Sequence, residues 1–319
     1  MEKKYELDIT DCIKIDRRIL YRIVACKDFA DIKKGDKGGY IENEKNLSHN
    51  GNAWVYDNAK VFVDAEVYDN AKVSGNAKVS GDAQVLDNAK VSGNAEIFSK
   101  AQVSQYAHVF DDALVGGSAK VYGHAQVSGN TWVHNNAYVS DNAWIHGNAE
   151  VFDDAKASGN VEVYNSARVY GHAQVSGEAR IYNNARVYDD ALISGDARVY
   201  GNARVSEYAR VCGNACVCGN GEVTGNVCIC GDAEISGEAR IFRIEDYFCT
   251  QTFGSCGRTI TFFREKNGWR VVCGCFSGTI EEFRKKVKET HGDSLIAQEY
   301  LLISDLMELR IKRIEVDFK

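Results

Sequence analysis

The chain has 319 residues, a net charge of −7, 29 glycines, 11 cysteines and no proline. That charge balance excludes an obvious nucleic-acid binder, and no Lys/Arg-rich run argues otherwise. No apolar stretch is long enough to span a membrane, and Met1-Glu2-Lys3-Lys4 opens no signal-peptide pattern, so the odd cysteine count reads as reduced, cytosolic thiols.

Residues 1–51 carry no repeat. Tyr5–Ile9 and Ile19–Cys26 have strand composition, and Lys34-Gly35-Asp36-Lys37-Gly38-Gly39 reads as a loop. The expected role is a β cap over whatever follows, because an open apolar coil end invites end-to-end aggregation.

From Asn52 to Arg243 one six-residue phrase, Asn/Asp–Ala–x–Val–x–Gly/Asp, is written 32 times without insertion. Its fourth slot is Val 24 times, Ile seven times and Ala once, at Ala157. The second slot is Ala except at Thr131, Val161, Gly221 and Val227. Alternation along a strand points the valine of Lys78-Val79-Ser80 inward and its two neighbours to water. Gly, Asp and Asn tolerate turn dihedrals, so the chain turns a corner after each short strand. Three corners close a triangular coil of about 18 residues, which buries its apolar side by stacking on the next coil. The span holds 15 basic and 23 acidic residues, with every arginine at or after Arg168 and every lysine at or before Lys156.

Residues 244–319 read as a small α+β domain. Arg258–Arg264 and Trp269–Phe276 form a hairpin around Glu265–Gly268. Thr279 with Glu282 makes a capping box for a helix to about His291. A second helix starts at Asp293 or Ser294, and Leu295, Ile296, Tyr300, Ile303, Leu306 and Met307 recur at helical spacing as its expected core face.

The hexad resembles the hexapeptide repeat of left-handed β-helices, and the left-handed winding is what that resemblance implies. The fold expected is therefore mainly β: a left-handed parallel β-helix of about ten triangular coils over 52–243, a β cap over 1–51 and an α+β domain over 244–319. Gly38-Gly39-Tyr40-Ile41-Glu42, Asn46-Leu47-Ser48 and Ala53-Trp54-Val55-Tyr56 resemble the start of hexapeptide-repeat proteins carried by bacteriophages and prophages. Cys273-Gly274-Cys275-Phe276-Ser277-Gly278-Thr279, Glu282-Phe283 and His291-Gly292-Asp293 resemble their end. The resemblance implies a phage or prophage accessory protein of the bacterial cytoplasm and carries over no enzymatic activity.

Enzymes built on this repeat are mostly trimeric acyltransferases with a histidine general base near a loop that breaks the repeat. Here no hexad carries an insertion, and His108, His134 and His146 occupy ordinary outward slots. His124 and His172 lie in two identical phrases, Val121–Gly129 and Val169–Gly177, which duplication explains. Cys249, Cys256, Cys273 and Cys275 form a weak candidate for a four-thiolate zinc site, because their spacing departs from the usual one. Cys212, Cys216, Cys218, Cys228 and Cys230 read as small outward residues, with a metal or redox pair as the alternative. No cofactor is expected.

The outward columns carry the binding expectation. Tyr164, Tyr182 and Tyr200 share a face with Arg180 and Arg198, and Tyr170 and Tyr188 share the next with Arg168, Arg186 and Arg204. Tyr and Arg are enriched at protein contacts, so Arg168, Tyr170, Arg180, Tyr182, Arg186, Tyr188, Arg198 and Tyr200 are the candidate binding residues. Stacked side chains that merely steady neighbouring strands are the alternative. Trp132, His134, Tyr138, Trp144 and His146 form a second candidate, a contact belt for self-association or a partner. The function expected is a non-enzymatic binding or scaffolding rod, a homo-oligomer, that engages a host or phage protein or a small anionic ligand. The alternatives are an acyltransferase and a self-assembling structural protein.

Overall fold

In the computed structural model the described residues are 3–254 and 257–317. The chain divides into two compact units, Met1–Asn183 and Asn184–Lys319.

The first unit opens with three strands, β1 (Tyr5–Ile15), β2 (Arg18–Ala25) and β3 (Lys37–Ile41). β1 and β2 are antiparallel with a bulge between Asp8 and Cys12, so the first strand runs further than its composition suggests. β3 pairs antiparallel with β2 and parallel with the repeat strand Lys60–Val61. It takes in Lys37-Gly38-Gly39, expected as loop. The reason is close approach: a Cβ on Gly38 would stand 2.5 Å from the Val55 carbonyl oxygen, and one on Gly39 2.5 Å from that of Ala59. Tyr5, Leu20, Ile23 and Leu47 are fully buried, and the Tyr5 ring meets Trp54 of the first hexad edge-on at 6.2 Å.

Each hexad contributes a two-residue strand, and partners lie 18 residues apart, as in Lys78↔Glu96 and Val79↔Ile97. Three parallel sheets result, running through the strands at Lys60, Lys78 and Glu96, at Lys72, Lys90 and His108, and at Gln84, Gln102 and Lys120. The fourth-slot valines and second-slot alanines are buried throughout, each valine contributing roughly 1.5–3 kcal/mol when removed from water. Backbone amides bond to the next coil, as from Lys78 N to the Ala95 carbonyl at 2.9 Å.

The corners have their own chemistry. Asp87 adopts φ 58°, and its carboxylate accepts the Gln105 amide of the next coil at 2.9 Å. Asp57 does the same for Gly75 and Asp141 for Gly159. First-slot asparagines form amide ladders, Asn76 to Asn94 to Asp112. The Gly/Asp and Asn/Asp slots thus satisfy corner groups that the strands leave unpaired.

In the second unit the repeat strands pair at the same 18-residue interval, as in Arg186↔Arg204 and Val205↔Val223. A four-stranded antiparallel sheet follows, Tyr247–Phe253, Arg258–Glu265, Gly268–Cys273 and Phe276–Gly278. Its second strand closes the last coil: the Glu234 amide donates to Thr261 Oγ1 at 3.2 Å, and Ala239 bridges Glu265. Asp246, buried at the junction, accepts the Phe242 and Arg243 amides and pairs with Arg264.

Helix α1 (Ile280–His291) has the expected capping box, Glu282 N to Thr279 Oγ1 at 3.2 Å and Thr279 N to the Glu282 carboxylate at 2.8 Å. Helix α2 (Leu295–Asp317) buries Ala297, Tyr300, Ile303 and Met307 against Phe262, Val271 and Phe283. Leu295 and Leu306, expected in that core, are instead exposed. The buried stripe follows 297, 300, 303, 307 and 314, which places both leucines on the other side of the helix.

Candidate functional site

The fifth slot of the hexad, just after the inward valine, builds columns along each sheet of the first unit. On one sheet His134, Phe152 and Tyr170 stack with ring centroids 5.0 and 4.8 Å apart and planes within 3°. On another, His146, Tyr164 and Tyr182 stack at 5.1 and 4.9 Å, within 4°. Each ladder begins beside a tryptophan on the same strand: Trp132 lies 4.2 Å from His134, and Trp144 lies 4.1 Å from His146. The spacing along each ladder is the strand spacing itself, so the repeat length sets the stack. Burial among the rings pushes the His146 pKa down and the Tyr164 pKa up.

The third slot places charge beside each ladder. Arg168 makes a two-pronged contact with Glu150, both prongs at 3.2 Å, and Arg180 lies 3.6 Å from Glu162. Both arginines remain about half exposed, so the pairs are worth roughly 0–1 kcal/mol each. Tyr138, from the expected belt, lies on the third sheet between the Lys120 and Lys156 ammoniums. The five belt residues therefore divide among the three faces, an aromatic on each side of the coil, as their slots imply. Arg168 with Tyr170, and Arg180 with Tyr182, do share faces with Trp132 and Trp144 respectively.

In the second unit Arg186 stands in register with Arg204, and Arg198 with Cys216. Tyr188 and Tyr200 occupy fifth slots there. Cys216 and Cys218 flank Val217 on the outer side of one strand, yet each is only 7% exposed. The hydrogen bond from Cys216 holds the Cys218 thiol below the ordinary cysteine range, at about 7, and raises Cys216. The bond with Cys218, together with burial, pushes the Tyr200 hydroxyl up. These outward cysteines are more enclosed than their slots imply.

The weak zinc alternative is not assembled. Cys249 pairs with Thr261 and Cys273 with Ile260. Adjacent residues of one strand face opposite ways, so Cys249 and Cys273 lie on opposite faces of the sheet. Cys275 is exposed beyond the strand end, and Cys256 lies outside the described residues. Among the described residues no group of three or more His, Cys, Asp or Glu could hold a metal ion, and no helix is long and apolar enough to cross a membrane.

A groove in the first unit had no counterpart among the sequence motifs. Between Tyr56 and Phe110 the fifth-slot column holds Ser74 and Ser92, and the face sinks into a groove of about 320 Å³ lined by Asp31, Lys72, Lys90 and His108 as well. Asp31 reaches over from the cap to Lys72 at 3.0 Å and to the Tyr56 hydroxyl at 3.1 Å. His108 Nε2 lies 3.1 Å from Ser92 Oγ, and burial, then the Lys90 charge, push its pKa down. Of the three outward histidines, His134 and His146 are ladder rings, whereas His108 lines a cavity. The small-residue gap in an 18-residue column was the available signal.

A family model described as the YdcK beta solenoid repeat matches residues 173–189, 179–195, 191–207 and 197–213. The chain is a β-solenoid repeat protein. No curated protein matches it. Among solved structures it is similar to the Arabidopsis UDP-N-acetylglucosamine acyltransferase, at 14% identity, over 61% of this chain and 74% of that one, with a TM-score of 0.28.

Proposed function

We propose that this protein is a non-catalytic binding scaffold whose solenoid faces engage a partner protein. The observation that carries the reading is the ladder Trp144–His146–Tyr164–Tyr182, with Arg180 beside it and Trp144 40% exposed. Stacked rings held by the backbone repeat lose little freedom on binding, and Trp, Tyr and Arg are the side chains that most often anchor interfaces. In the phage or prophage setting that the terminal motifs resemble, the partner is a host component of the bacterial cytoplasm.

Capture from bacterial lysate, followed by native mass spectrometry, identifies the partner; the decisive step compares variants against it. Replacing Trp144, Tyr164 and Arg180 with alanine should weaken binding at least about thirtyfold, since one anchor commonly contributes about 2 kcal/mol. Replacing Lys60 and Lys78, on a different sheet, should leave binding within about twofold. Equal loss in both sets would sink the proposal.

The groove supports a second reading, a small anionic ligand. Lys90 offers an ammonium one strand spacing from Lys72, which Asp31 already holds, Ser74 and Ser92 offer hydroxyls, and neutral His108 offers a donor or acceptor. Titration with a nucleoside monophosphate, compared between wild type and Lys90→Ala, tests it. Heat release that Lys90→Ala leaves unchanged would remove this site.

A further inference from the structure

We infer that two copies of this chain associate through helix α2, side by side and antiparallel, about a two-fold axis near Leu306. The inference stands apart from the solenoid-binding proposal and rests on the helix alone.

Helix α2 has two apolar stripes. One, through Ala297, Tyr300, Ile303 and Met307, is buried in the terminal domain. The other consists of Leu295, Leu302, Leu309 and Val316, each seven residues from the next, with Leu306 between them. All five are 56–77% exposed. A seven-residue apolar repeat of this length keeps one seam along about 31 Å of helix, the pattern by which two helices pack knobs into holes. Solvated leucines at this density are costly unless covered. On the flank of the stripe, Asp305 and Glu308 are both held by Arg284 of α1, at 2.7 and 2.9 Å. That clamp fixes the helix with its leucines outward.

Charge and spacing select the occupant and its direction. Exposed Glu299 lies seven residues before Leu306, and exposed Arg313 seven after it. Two antiparallel copies centred near Leu306 place Leu302 against Leu309 of the other copy and Leu295 against Val316. The same register sets Glu299 beside Arg313 of the other copy at both ends. Parallel copies would instead oppose Glu299 to Glu299 and Arg313 to Arg313, which is unfavourable. A contact that is complementary to itself under a two-fold rotation is what a closed dimer needs. Antiparallel packing also opposes the two helix dipoles.

The experiment is sedimentation velocity on the full chain across a hundredfold concentration range. Wild type should pass from monomer to dimer. Leu302→Gln with Leu309→Gln should raise the dissociation constant at least about tenfold without lowering the melting temperature of the monomer, read at the dilute end of the range, because both side chains are already solvated there. Glu299→Arg alone should also weaken the dimer, and adding Arg313→Glu should restore it. That rescue is specific to the antiparallel arrangement and does not depend on the leucine variants folding. A chain that stays monomeric throughout, an oligomer untouched by the leucine substitutions, or a charge reversal that fails to restore association would each overturn the inference.

Discussion

Lys4 Nζ donates to the Ala53 carbonyl at 2.9 Å while the side chain is 1% exposed, with the Phe29 ring 5.4 Å away. The cap is thus tied to the first hexad through an ammonium removed from water. Burial, and to a lesser degree Lys27, pulls the Lys4 pKa down from 10.5 to about 8.

The sign of its pH effect follows. Between about pH 8 and 10.5 the unfolded chain binds the Lys4 proton and the folded chain does not, so stability rises with pH across that window. Below pH 8 both states are protonated and the full cost of burying the charge, on the order of 3 kcal/mol, is present. Lys4→Met should raise stability at pH 7 and remove this rise. Denaturant unfolding of both proteins at about pH 7 and pH 10 measures it, and a lower stability for the variant at neutral pH would contradict a net cost for the buried ammonium.

Thr131 occupies an alanine slot with no exposed surface, and its hydroxyl is buried without a hydrogen-bond partner. Valine already fills the same slot at Val161 and Val227. Thr131→Val should therefore stabilise the protein by about 1 kcal/mol, because a buried unpaired hydroxyl is lost at nearly constant volume. A raised denaturation midpoint with unchanged slope is the expected result.

Val121 is fully buried and Lys120, its neighbour, points to solvent near the Tyr138 ring. An aspartate at 121 places an unpaired charge among stacked valines and should cost more than about 4 kcal/mol, enough to remove soluble folded protein. Lys120→Asp should cost less than about 1 kcal/mol. Thermal melts that fail to separate the two would contradict the inward and outward assignment.

Asp87 combines a left-handed φ of 58° with a carboxylate that accepts the Gln105 amide. Asp87→Asn keeps both features, Asp87→Gly keeps the conformation alone, and Asp87→Ala keeps neither. The expected order of increasing destabilisation is Asn, then Gly, then Ala, with alanine costing about 1–2 kcal/mol. Chemical denaturation of the three variants ranks them, and a glycine variant less stable than the alanine variant would contradict the dihedral's part in the corner.

The repeat was legible because its information is local and redundant. A hexad that alternates Val79 inward with Lys78 and Ser80 outward, then offers Gly or Asp for the corner, specifies strand, turn and buried side within six residues. Closure into three sheets follows from the period, and the capping box at Thr279 and Glu282 is equally local. The corner chemistry was legible as conformation, though not as the coil-to-coil bond from Gln105 to Asp87, which needs two positions 18 residues apart to be neighbours.

What the sequence by itself determined was the mainly β solenoid, its inward valines, the columns of outward residues and the small α+β region. Tertiary structure decided which members of those columns act together. Cys249 and Cys273 were turned apart by the alternation of a strand whose pairing no spacing rule gives. His108 was set over Ser92 because two serines leave a gap in the column between Tyr56 and Phe110. Leu295 and Leu306 have the same helical spacing as the core residues of α2, and their exposure depends on which side of that helix meets the sheet. Periodicity records that a face is apolar, and packing alone decides whether that face is covered.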